Sequence, residues 1–136
     1  IVDRYGLRVA NVFHAGDGNM HPLIMYNVND PAEQEKAEKA GEDVLRLCVD
    51  VGGCLTGEHG VGIEKRDLMT HQYSAVDLAQ QMRVRAAFDR DWLLNPAKVF
   101  PLELRPAPAA ATAAVDLRKS RRFMVLRFIG QGPQSN

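Results

Sequence analysis

The sequence predicts an α+β fold in which helices pack on an antiparallel sheet, and three observations point there. Two β-rich runs, Arg8 to His14 and Met20 to Val28, flank a glycine-rich turn. Two amphipathic segments follow, one after Asp30 and one after Ser74. The composition is that of a folded domain, because 46% hydrophobic and 25% charged residues over 136 positions exclude a disordered or fibrous chain and allow a modest core.

The turn residues Gly16, Asp17, Gly18 and Asn19 join the two β-rich runs into a hairpin, and a hairpin brings His14 and His21 together. Asp30 then caps a helix with Pro31 at its first position and Glu33 at its third. Ala37, Ala40, Val44, Leu47 and Val51 recur at alternating spacings of three and four and are its predicted buried face. Gly52 and Gly53 end it, and Cys54 to Thr56 form a predicted short strand leading into Gly57, Gly60 and Gly62. The second helix begins near Ser74 with Asp77 as capping partner and carries Leu78, Met82 and Ala86 along one side. It leads into Leu93, Leu94 and Asn95, with Pro96 as the expected stop.

Charge divides the chain. Residues 1–104 hold 11 basic and 16 acidic side chains, whereas residues 105–136 hold six basic and one acidic. An acidic body with few aromatics presents no phosphate-tracking stripe, so no nucleic-acid partner is expected. The first residues lack the basic and long apolar stretches of a targeting or membrane-spanning segment, and a start at Ile1 predicts a chain that begins inside a longer protein. Cys48 and Cys54 are too few and too oddly spaced for a disulfide framework or a CxxC site, and are expected as reduced thiols in or near the core. Residues 105–136 are predicted to be an Ala/Pro-rich linker and a basic run, disordered as a whole. A basic-apolar contact with an anionic membrane surface is the alternative, so membrane contact is expected to be peripheral at most.

Chemistry concentrates in two short segments. His14-Ala-Gly-Asp-Gly-Asn-Met-His21 sets two imidazoles on either side of a tight turn, and Gly57-Glu58-His59-Gly60 adds a carboxylate and a third imidazole. Two histidines and one carboxylate suit a zinc-, manganese- or iron-type ion with open positions, as a catalytic metal requires. His14, His21 and Glu58 are the candidate ligands, and His59 remains for proton transfer. A single histidine at a strand end, or a single glycine-rich loop, is more often structural. Here three of the four histidines fall in these two segments beside acidic residues. Asp17 is expected as a turn former and His71 as a residue flanking a helix.

HAGDGNMHPL, the helix end LRLCVDVGG, CLTGEHGVGIEK and FDRDWLLNPAKVFP, in that order, resemble the C-terminal domain of the FAD-linked oxidases of the vanillyl-alcohol oxidase type, in particular the branch that oxidises glycolate. The likeness runs from about Val9 to Pro101 and makes residues 1–104 a partial C-terminal domain. It implies a small D-2-hydroxy acid, glycolate or D-lactate, as substrate, held on a divalent metal by His14, His21 and Glu58. It further implies that His59 takes the hydroxyl proton and that hydride passes from the substrate C2 to FAD, leaving the 2-oxo acid. Gly60 and Asn95 are the positions implied for the flavin side. Other oxidase subunits are implied as partners, in the cytoplasm or peripheral to the inner membrane.

The sequence also departs from the family. The usual FDPxGLLNPGK stands here as FDRDWLLNPAK, with Arg90, Trp92 and Ala97 in place of small or turn-forming residues, and Trp92 is expected to disturb packing near the flavin. No glycine-rich flavin-diphosphate segment is found, so FAD is expected to be bound mainly by a missing flavin-binding domain and the fragment alone to be inactive. Two other functions remain open: a D-2-hydroxyglutarate dehydrogenase of the same family, or a catalytically silent metal-binding fragment that acts through partner subunits. The D-2-hydroxyglutarate type often has a polar Asn two residues after the second motif histidine, and Leu23 at that position favours a small substrate.

Overall fold

A computed structural model describes residues 1–104 and the pair Phe128–Ile129. The described residues fall into two compact units, residues 1–60 with Phe128–Ile129 and residues 61–104. Of the stretch predicted to be a disordered tail, all but Phe128–Ile129 lies outside the described residues. No helix among the described residues is long and apolar enough to cross a membrane.

The first unit is built on the predicted hairpin. Strand β1 (Arg8–His14) pairs antiparallel with β2 (Asn19–Met25), and a two-residue strand β3 (Phe128–Ile129) pairs with β2 on its other side. Between β1 and β2 the chain makes a 3-10 turn over Ala15–Asp17 and leaves it through Gly18 at φ 64, a left-handed conformation that favours glycine. β2 therefore begins at Asn19, which was expected in the turn, and ends at Met25 rather than Val28.

Helix α1 (Pro31–Asp50) starts as its sequence dictates, with the Asp30 carboxylate accepting from the backbone N–H groups of Ala32 and Glu33. The Glu33 carboxylate accepts from Asn27 N at 2.7 Å, which ties the helix start to the preceding turn. The buried stripe differs from the predicted one in its second half. Ala37 and Ala40 are buried, but Gly41, Leu45 and Cys48 continue the stripe, while Leu47 and Val51 are exposed. A strict alternation of three and four averages 3.5 residues per turn and drifts by about 20° per heptad against a straight helix of 3.6, so a stripe drawn that way slides off the buried face. Val2, Leu7 and Ala37 form a core cluster against Tyr5, Ile24, Tyr26 and Val44, and the Tyr5 hydroxyl donates to Asp43 at 2.8 Å.

The predicted strand at Cys54 to Thr56 is absent, and the segment after α1 is irregular. No strand pairs with it among the described residues. Two of its carbonyls accept from thiols instead: Cys48 Sγ donates to Cys54 O and Cys54 Sγ to Thr56 O. Both cysteines stand as reduced thiols, Cys48 buried and Cys54 partly so, as expected. Leu55, 1% exposed, anchors the segment.

In the second unit a 3-10 turn (Arg66–Leu68) runs into the short helix α2 (Met69–Gln72), which contains His71 rather than being flanked by it. Helix α3 (Ala75–Phe88) opens with a full capping box in which Ser74 and Asp77 bond reciprocally. Of its predicted stripe only Leu78 is buried; Met82 is partly covered and Ala86 exposed. The helix ends at Phe88, well ahead of Pro96, and its stop is Asp89. That carboxylate accepts from the N–H groups of Leu93 at 2.8 Å and Leu94 at 3.0 Å, and pairs with Arg85 at 2.9 Å. These bonds turn the backbone where another helical turn would have run.

The Arg85 guanidinium lies 4.3 Å over the ring of Trp92, which is buried and meets Phe100 edge-on at 5.9 Å. Trp92 holds φ 55, a conformation that glycine adopts freely and tryptophan does not. Trp92 thus contributes to the core of its own unit.

Ala40 is 0% exposed, so Ala40→Leu should destabilise the chain by about 1–3 kcal/mol in denaturant melts, while Val51→Ala, at an exposed position, should change little. For Asp89, burial pushes the carboxyl up, but the N–H donors of Leu93 and Leu94 and the Arg85 charge outweigh it and hold the group below the usual carboxylate range. A folded value below the unfolded one gives stability that is present above about pH 4 and is lost as pH falls through the folded value. Asp89→Ala should therefore lower the melting temperature near neutrality, with the difference from the parent shrinking on acidification.

Candidate functional site

The site grows from the hairpin register. His14 stands opposite Asn19, and Val12 opposite His21. Side chains alternate faces along a strand, so His14, Asn19 and His21 share one face near the turn, with the two histidines as diagonal neighbours. Their rings meet edge-on with centroids 5.1 Å apart. His21 and Asn19 are buried, at 4% and 5% exposure, whereas about half of the His14 side chain is open to solvent.

Glu58 comes to the same face from the irregular segment that follows Leu55. Its Oε1 accepts from Asn19 Nδ2 at 2.9 Å and lies 3.5 Å from His14 Nε2. Ligand atoms of His14, His21 and Glu58 all lie within 4.8 Å of one another. Ligands at about 2.0–2.2 Å from one tetrahedral ion would stand roughly 3.4 Å apart, so a contraction on the order of 1 Å closes the set. The donor chemistry fits: two imidazole nitrogens and one carboxylate oxygen suit zinc, manganese or iron.

His59 lies outside this trio, with its Nε2 3.9 Å from Glu58 Oε2 and 56% of its side chain exposed. Gly60 follows at φ 79, and nothing lies within 4 Å of where a Cβ would stand, so its backbone conformation rather than crowding calls for glycine. Asn95 belongs to the second unit, where it holds φ 45 in a turn closed by Lys98 N donating to Asn95 O at 3.1 Å. Asp17 ends the 3-10 turn between the strands.

Asn19, expected as a turn former, stands in the site instead. The signal was available: it stands two positions before His21, and the two-residue period of a strand puts both on one face. Starting the strand at Met20 hid it.

Comparison with known proteins agrees with the motifs. Residues 1–99 match the family described as FAD linked oxidases, C-terminal domain. The chain is 54% identical over 98 residues to the glycolate oxidase subunit GlcD of Escherichia coli strain K12, covering 72% of this chain and 20% of that protein. It is 32% identical over 105 residues to GlcD of Bacillus subtilis strain 168, covering 77% and 22%. It is 38% identical over 98 residues to the mitochondrial D-lactate dehydrogenase [cytochrome] of Kluyveromyces lactis, covering 72% and 16%. The chain thus spans about a fifth of the length of these relatives. No solved structure matches it significantly. With the four motifs in order and a family match over residues 1–99, the chain belongs to the FAD-linked oxidases, in their C-terminal domain.

Proposed function

We propose that this chain is the substrate-holding and proton-handling part of a flavin-dependent enzyme that oxidises a small D-2-hydroxy acid, glycolate or D-lactate, to the 2-oxo acid. The observation that carries this reading is the convergence of His14, His21 and Glu58 within 4.8 Å, with His59 beside but outside the trio. A divalent ion held by His14, His21 and Glu58 would supply Lewis acidity toward a bound hydroxy acid. FAD, the cofactor named for the family, would supply the two-electron chemistry, and we assign its binding mainly to the part of the enzyme that this chain does not span.

The protein's own part is to hold and to deprotonate. His14 and His21 present imidazole nitrogens from the paired hairpin, and Glu58 adds one negative charge, leaving open positions for substrate oxygens. His59 accepts the proton of the substrate hydroxyl at a ring nitrogen, so that the electron pair of the C2–H bond can depart as hydride. Gly60 and Asn95 are the positions we assign to the flavin side. The preference for a small substrate rests on Leu23, which is partly buried and shares the strand face of His21. An apolar side chain there offers no hydrogen bond to the second carboxylate of a D-2-hydroxyglutarate-type substrate. Partner oxidase subunits, and a place in the cytoplasm or against the inner membrane, belong to the same proposal.

In a full-length enzyme carrying this segment, His59→Ala should keep its metal and lose about 10²- to 10⁴-fold in the rate of flavin reduction by a D-2-hydroxy acid. His14→Ala should lose both metal and turnover. Stopped-flow flavin reduction with elemental analysis of each variant checks this. Near-normal reduction by His59→Ala, or loss of its metal, would overturn the role given to His59. A parent protein that is metal-loaded but colourless would favour a silent binding fragment.

A further inference from the structure

We propose that Asn19 is a positioning residue for the metal site, setting the place of the Glu58 carboxylate through its side-chain amide; this role rests on the metal reading above. Glu58 stands in an irregular segment, where no helix or strand fixes its direction. Asn19, in contrast, is 5% exposed on the paired strand β2, directly across from His14 and on the face shared with His21. Its Nδ2 donates to Glu58 Oε1 at 2.9 Å across 39 positions of sequence. The paired hairpin that carries both imidazoles therefore also holds the carboxylate that comes to them from the loop.

The choice of side chain agrees with this role. An amide donates to the carboxylate without adding charge, whereas an aspartate there would set a second negative group against Glu58. The amide nitrogen that faces Glu58 has no lone pair to offer a cation, so through this contact Asn19 acts on Glu58 rather than on the ion. Asn19 Oδ1 is buried without a hydrogen-bond partner among the described residues. A buried amide that is only half satisfied is a poor choice for packing alone, and here its satisfied half is the one that faces Glu58.

The test uses the full chain with zinc as the probe and reads affinity by competition with a chromophoric chelator. Asn19→Ala and Asn19→Ser, whose hydroxyl is too short to reach Glu58, should each weaken zinc binding about 10- to 100-fold. In a Glu58→Ala background, Asn19→Ala should change zinc affinity by no more than about twofold, because the group it acts through is gone. Metal-free melting temperatures are read alongside, and Asn19→Ser carries the test if Asn19→Ala does not fold. Unchanged zinc affinity in both variants, or an equal loss in the Glu58→Ala background, overturns the positioning role. Failure of the unsubstituted chain to bind zinc overturns the metal reading itself, and this role with it.

Discussion

The register of the β1–β2 hairpin decides what the rest of the site can be. His14 opposite Asn19 and Val12 opposite His21 put two imidazoles and an amide on one face. A slip of one residue would turn the β2 side chains to the other face and separate the histidines. The register depends on the length and conformation of the connection, in which the 3-10 turn over Ala15–Asp17 exits through Gly18 at φ 64. A residue with a Cβ at that position would strain the exit and act on the site without touching it.

The hairpin cannot complete the site alone, because the carboxylate and the remaining imidazole come from the segment after α1. What delivers them is local. Helix α1 ends in a run of backbone bonds, Val51 N to Leu47 O and Gly53 N to Cys48 O, and the two thiols satisfy carbonyls that a strand would have used in a ladder. Leu55 then pins the segment. Glu58 and His59 follow within four residues of that anchor and remain about half exposed.

The sequence made the helix starts and the hairpin legible, because capping and turn chemistry are local. Asp30 with Pro31 and Ser74 with Asp77 stand where they were expected. Helix ends and burial were harder to read. The stop of α3 is Asp89, whose acceptor bonds to Leu93 and Leu94 exist only once the chain has turned, so Pro96 was the more visible but wrong signal. The stripe Leu47 and Val51 failed through the small angular difference between a 3.5 and a 3.6 repeat. In the site, His14, His21, Glu58 and His59 stood out by type and by the glycines around them. Asn19 did not, because an asparagine next to glycines is most simply a turn residue, and only the strand register reveals its neighbour across the sheet.

On the proposal above, the two motif histidines and Glu58 act together as one cation site. X-ray absorption at the zinc K edge of the zinc-loaded chain tests it most directly. The expected first shell is two imidazole nitrogens and carboxylate oxygen at about 2.0–2.2 Å, with imidazole scattering lost in a His14→Ala, His21→Ala double variant. Sulfur at about 2.3 Å, which would place the zinc on Cys48 or Cys54, or a first shell of oxygen alone, would contradict it.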